Sequence, residues 1–360
     1  MKEITEHGNR NGVDFRKVLV VMAAVCMMFT LVPMVDAAGA DDTMELQNLI
    51  NGSTTTPIEL DKDYSISSTV SIGRTLTIDG NGHSITYSGN QSALKITGGA
   101  TVALKSLTIN ATTSGAYGIT ITSNESNVTL QQCTVNANNR GVSYYPTDGC
   151  TGKTLTIDNT DILNSQISNY DNDTTVGDTR GIALYGVTDS QINIINGSAI
   201  KGFGYSINTS NGLANGVRAG GNTYTVTDSV IVGWSAFNVW TVGNTFNITN
   251  STLKGISDLS GDWNNFATIV FNDGIYNGVS GNANILNIYG GTVAAFATGT
   301  AMHSAFLESS ESITQIHFYK YNNIPVLLYF PEESSAFRVT YPGTTVNYTG
   351  IENVLPAYSD

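Results

Sequence analysis

The chain has 360 residues, of which 12% are charged and 41% hydrophobic, with 37 Gly and 7 Pro. Gly, Ser, Thr and Asn prevail over Ala, Glu, Lys and Leu, which excludes a coiled coil or helical bundle, and the apolar share excludes a disordered chain. A formal charge of −13 makes a surface that repels nucleic acid and anionic lipid.

Residues 1–40 read as a secretory signal peptide. Lys2, Arg10, Arg16 and Lys17 precede the apolar run Val18 to Val35, and Ala38-Gly39-Ala40 is an A-x-A cleavage signal. An uncleaved anchor is the alternative, because a run of about 18 apolar residues just spans a bilayer. The leader takes equal numbers of acidic and basic residues with it, so the remainder keeps its charge of −13. Cys26 leaves too. Cys133 and Cys150 stay in an exported chain, where they either form a disulfide or stand as separate thiols. These features predict a secreted or cell-surface monomer with no membrane span in the mature chain.

After the leader, Asp42 to Ile50 predicts a short amphipathic helix. Its N-cap is acidic, its apolar face is Met44, Leu46, Leu49 and Ile50, and it is placed to plug one end of the fold. A short phrase then recurs: Leu76-Thr77-Ile78-Asp79-Gly80, Val102-Ala103-Leu104-Lys105-Ser106, Val128-Thr129-Leu130-Gln131-Gln132 and Leu155-Thr156-Ile157-Asp158-Asn159, with later copies at Ile192, Tyr224, Phe246 and Leu286. Successive copies start 26, 26, 27, 37, 32, 22 and 40 residues apart. Within each phrase the apolar period is two, which means a strand with one buried face. The fifth position is usually Asn, Asp or Gly, residues that tolerate a left-handed backbone and let the chain bend.

A second apolar strand follows the bend, as in Leu107-Thr108-Ile109, and in most copies a third, as in Gly141-Val142-Ser143-Tyr144-Tyr145. Three short strands per copy predict an all-β parallel β-solenoid of about nine rungs. The expected divisions are 41–74 for the N-terminal cap and first strands, 75–310 for the solenoid, and 311–360 for the last rung and C-terminal cap. Stacked Asn side chains at the bends, Asn159 and Asn196 among them, are expected to bond along the rod.

The cap helix followed by Ser71-Ile72-Gly73-Arg74-Thr75-Leu76-Thr77-Ile78-Asp79-Gly80-Asn81-Gly82-His83-Ser84-Ile85 resembles the opening rung of the pectin lyase-like superfamily of right-handed parallel β-helices. The resemblance extends over about residues 41–310 and implies that fold. It does not imply one activity, since the superfamily includes polysaccharide lyases, glycoside hydrolases, adhesins and passenger domains.

Asn159-Thr160-Asp161 matches one motif of the polygalacturonate hydrolases in that superfamily. No acidic pair follows one rung later, around Gly181 to Tyr185, the Gly-His-Gly and the Arg-Ile-Lys that accompany the motif there do not occur, and Asn159 falls on a bend, so it is assigned to structure. His83, His303 and His317 lack a partner carboxylate at a diagnostic spacing and are assigned as structural or surface residues.

The functional candidate is positional. Loops between the second and third strands lengthen at Asn164 to Thr179, Lys201 to Ala214 and Ile256 to Phe266, and are expected to stack as a wall beside the third strands. Strand alternation sends the third and fifth positions of the third strands outward: Tyr145, Tyr185, Gly220 and Trp240 at the fifth, Arg218 and Asn238 at the third. Tyr145, Tyr185, Arg218, Trp240, Asp262 and Trp263 are therefore candidates for ligand binding, in the manner of a carbohydrate groove. The competing assignment packs these rings beneath the loops. Asp171, Asp173, Asp178 and Arg180 are the candidates if the site is catalytic, and the three Asp residues are a candidate Ca2+ set, although no cofactor is required.

The expected function is a non-catalytic adhesion module that binds an extracellular glycan or a host or cell-surface component, and no nucleic acid. The rivals are a polysaccharide lyase or glycoside hydrolase acting on acidic or plant-type polysaccharide, and a structural surface-layer component.

Overall fold

The computed structural model describes residues 41–167, 179–210, 220–258, 269–271, 284–298, 307–309, 315–331, 345–347 and 351–357. The repeated phrases form one parallel sheet. Among the described residues it has eleven strands, from Ile58–Glu59 through Leu76–Asp79 to Thr345–Asn347, each paired in parallel with the strand of the next rung. In register, Ile78, Leu104, Leu130, Ile157, Ile194, Val226, Ile248, Ile288 and Phe318 make a single inward column, all fully buried. Each such aliphatic side chain contributes about 2 kcal/mol by leaving water. The fold is a parallel β-helix, as the phrases predict. It has more rungs than the phrases suggest, because Ile58–Glu59 and Thr345–Asn347 are too short to display the alternation.

The bend after the first strand is left-handed at five of the six Asn, Asp or Gly fifth positions; after Leu76–Asp79 it falls instead on Asn81, with φ 49°, and Gly82, with φ 83°. Asn159, Asn196, Asp228, Asn250 and Gly290 all have φ between 45° and 62°, and Ser106 and Gln132 adopt the same conformation. Asn196 donates to Asp158 at 2.7 Å and Asn250 to Asp228 at 2.6 Å, so the bends are tied along the rod. The left-handed Asn159 and the fully buried Thr160, which donates to Asp158 O at 2.9 Å, are thus part of a corner.

Within that corner a second ladder runs inside the wall. The backbone N of Cys133 donates to Thr160 Oγ1, that of Thr160 to Ser198 Oγ, and that of Ser229 to Ser251 Oγ, at 3.0–3.1 Å. At the opposite corner Ser190 N donates to Asn222 Oδ1, Asn222 N to Asn244 Oδ1, and Asn244 N to Asn284 Oδ1, at 2.9–3.1 Å. Turning chain leaves backbone donors without a strand partner, and these side chains satisfy them in the interior.

Cys133 and Cys150 are buried free thiols, which decides between the two alternatives for them. Burial pushes both thiols above the usual cysteine range. Cys133 donates to Leu104 O at 3.3 Å within its corner.

The helix α1 (Thr43–Gly52) caps the first rung with Leu46 and Ile50 buried and Leu49 packed against the core. Two details differ from expectation. Met44 is 69% exposed, because the buried stripe follows the 46/50 spacing and Met44 lies off it. Asp42 makes no side-chain cap; Asp41 accepts from Thr43 N at 3.0 Å, while Asp42 accepts from Ser65 N at 2.8 Å and from Lys62 at 3.1 Å.

Ser67 and Thr43 hydroxyls hold the Asp41 carboxyl well below the usual carboxylate range, and the Ser65 amide with Lys62 does the same for Asp42. A depressed folded value means stability that is complete above the unfolded pKa of about 4 and is lost as pH falls through the folded values. Amide protection factors in α1 are expected to be level from pH 7 to 5 and to fall below about pH 4. Asp41→Asn should flatten that loss, and a wild-type profile level down to pH 2 would refute the account.

Candidate functional site

The third strands build the outward face on which the candidate aromatics lie. At the turn into these strands, Gly118, Gly141 and Gly181 stack so closely that a Cβ on Gly141 would meet Ile162 Cγ2 at 2.1 Å and Gly181 O at 2.7 Å. The residues immediately before these glycines, Tyr117, Arg140 and Arg180, therefore stand at the rim. They align in register, followed by Tyr205 in the next rung. A floor column runs parallel to them: Thr120, Ser143, Ala183, Asn208 and Asn238. The position after Tyr144 and Leu184 is the far rim, occupied by Tyr145 and Tyr185.

Tyr145 is 40% exposed and Tyr185 partly exposed, and their rings meet edge to face with centroids 5.2 Å apart. Arg140 reaches across the floor between the two rims. Its Cζ lies 4.9 Å from the Tyr117 ring centroid and 5.3 Å from that of Tyr185, within cation–π range. Ser143 and Ala183 of the floor column are 1% and 0% exposed. Arg180 lies 5.9 Å from the Tyr205 centroid, and Tyr205 meets Trp234 edge to face at 6.4 Å. The result is an outward strip of rings and guanidinium groups across several rungs. Flat apolar faces edged by cations and hydroxyls suit stacking on sugar rings and hydrogen bonding to their substituents.

Trp240 is partly exposed and continues the far rim two rungs beyond Tyr185, its backbone N donating to Thr209 O at 3.2 Å. The rung between differs from expectation. Lys201 to Ser210 does not belong to a loop: residues 199–210 are one strand, in which the second and third strands join across a bulge at Gly202, whose φ is 82°, and residues 211–214 lie outside the described residues. The third strand of that rung is consequently Tyr205 to Ser210, and residues 216–218, expected there, lie outside the described residues. Position 210, not Gly220, separates Tyr185 from Trp240. Gly220 pairs instead with Thr188 and Val242 at another corner. Asn238 occupies its outward position yet is 5% exposed, donating to Asn208 at 2.8 Å.

Of the remaining candidates, Asp171, Asp173, Asp178, Arg218, Asp262 and Trp263 lie outside the described residues. Among the described residues no group of three or more His, Cys, Asp and Glu is arranged to hold a metal ion, and no helix is long and apolar enough to cross a membrane. The sequence reading missed Tyr117, Arg140, Tyr205 and Trp234. The signal for the first two was present: each precedes the glycine that opens a third strand.

Residues 37–145 match the family model described as "Putative pectate lyase-like adhesive domain". Over this segment the parallel β-helix is similar to a pectate lyase-like adhesive domain. It includes the cap, the first rungs, Tyr117, Arg140 and Tyr145, and the description points to an adhesion-like surface module. Among solved structures, ORF18 of Geobacillus virus E2 is similar with a TM-score of 0.46 and 11% identity, over 91% of this chain and 61% of that one. The chain therefore spans 61% of the length of that structure. No curated protein matches.

Proposed function

We propose that this chain is an exported, non-catalytic adhesion module that holds extracellular carbohydrate against its third-strand face. The observation that carries the reading is the Tyr145–Tyr185 pair with Arg140 laid between the rims, outward-facing rings on a rigid sheet. Rings held by strand register lose little freedom on binding, which makes them effective anchors. The adhesive-domain match over residues 37–145 supports the same class of function, and the leader at residues 1–40 supports export.

A glycan array probed with the wild type and with Tyr145→Ala/Tyr185→Ala tests it. The wild type should retain a defined subset of glycans, and the double variant should lose roughly 10- to 100-fold in affinity, as anchor residues do, with its thermal unfolding unchanged. Trp240→Ala should weaken longer chains more than short ones. Equal retention by wild type and double variant would remove the site, and retention of no glycan would remove the function. New reducing ends or unsaturated uronate would replace adhesion by cleavage. Strengthening by Ca2+ would bring Asp171, Asp173 and Asp178 into the site.

A further inference from the structure

Arg140 carries an inference that rests on the carbohydrate reading and deepens it. The residue is partly exposed, its Nε is buried without a hydrogen-bond partner, and no ion pair among the described residues includes it. Among the described residues its guanidinium lies over the Tyr117 and Tyr185 rings, and none accepts a hydrogen bond from its Nε. Arg180 lies directly opposite on the neighbouring strand. Like charges in facing positions of adjacent strands destabilise a sheet, and here they are concentrated on one face of a chain whose net charge is −13. A guanidinium that faces a second one across the strand pair, lies between two rings and has no acceptor among the described residues is arranged to receive an oxyanion. Arginine meets planar oxyanions with two parallel N–H bonds, stronger than neutral hydrogen bonds.

We infer that the Arg140 guanidinium is an oxyanion subsite within the aromatic face, selecting glycan chains that carry a carboxylate or a sulfate. With Nε covered, the terminal nitrogens are the donors that meet the anion. The rings of Tyr145 and Tyr185 take the adjacent sugar, so the charged substituent sits toward the Tyr117 rim.

Immobilised dextran, carboxymethyl-dextran and dextran sulfate present one backbone in three charge states. The full chain should be retained on one or both anionic forms roughly 10- to 100-fold better than on dextran, the range that charge-assisted hydrogen bonds supply. Retention on the carboxymethyl form alone, or on the sulfate form alone, identifies the group. Arg140→Gln should abolish the preference, and Arg140→Lys should restore only part of it, because lysine keeps the charge without the fork. An Arg140→Gln variant that still prefers the anionic forms would overturn the subsite while leaving the carbohydrate reading intact. If no matrix retains the protein, the carbohydrate reading falls for these chains, and titration decides the subsite separately. Sodium sulfate and glucuronate, against sodium chloride at matched ionic strength, should shift the Arg140 Nε–H resonance in 15N spectra. The absence of any such shift would overturn the subsite.

Discussion

Phe237→Ala is expected to lower the stability of the β-helix by about 4 kcal/mol, within the range for emptying a fully buried aromatic site. Phe237 is fully buried in a cluster with Tyr224 and Phe246. Its ring meets Tyr224 at 6.2 Å and Phe246 at 5.3 Å, both edge to face, while Tyr224 and Phe246 stack at 4.5 Å. Truncation loses the transfer free energy of the ring and both edge contacts, and leaves a cavity between rungs that cannot close without moving strands on either side. Phe237 also pairs in register with Ile207 and Ile269, so the effect should reach the neighbouring rungs. Urea unfolding should show a lower midpoint, and hydrogen exchange should place the lost protection around residues 199–239 rather than at the cap. A loss under 1 kcal/mol would mean that this cluster is not a core.

Asn244→Ala is expected to cost about 3 kcal/mol, although it removes a polar side chain. Asn244 is fully buried, and its Oδ1 accepts from Asn222 N at 3.1 Å. Its Nδ2 donates to Thr241 Oγ1 at 2.8 Å and to Asn284 Oδ1 at 2.9 Å. Alanine would strand the Asn222 amide and remove one of the two donors to Asn284 Oδ1, which keeps the backbone amide of residue 244, and a buried group left unpaired costs about 1–3 kcal/mol. Asn244→Asp is the sharper experiment. An ionised carboxylate there would face the Asn284 oxygen with no donor to offer it, so its folded pKa should rise. The penalty of a raised value is smallest below the unfolded pKa of about 4 and grows as pH climbs toward the folded value. The stability gap between Asn244→Asp and wild type should therefore widen from pH 4 to pH 7. A constant gap would show that the ladder does not require the amide donor at this position.

The outward face divides along a similar line. Tyr145, Tyr185 and Trp240 were legible because strand alternation assigns a side to every second residue once the strand is located. Arg140 was not legible, because its importance comes from reaching a ring on the next rung, a contact between residues 45 positions apart. The misplacement of Gly220 has a local cause: Gly202 permits a bulge that lets two strands run on as one, and a bulge leaves no mark in apolar periodicity.

The sequence by itself determined the parallel β-helix, the capping helix and the left-handed bends. Each follows from a local rule: period two for a buried sheet face, an amphipathic stripe after an acidic start, and Asn, Asp or Gly where φ turns positive. Only the tertiary structure decided the register between rungs, and with it the interior ladder Ser190–Asn222–Asn244–Asn284, the free state of Cys133 and Cys150, and the clasp of Arg140 between Tyr117 and Tyr185. The physical reason is that rung lengths vary from 22 to 40 residues between phrases. The insertions are absorbed at corners without disturbing the stacked strands, so residues far apart and irregularly spaced in the chain become neighbours only when each rung is laid on the last.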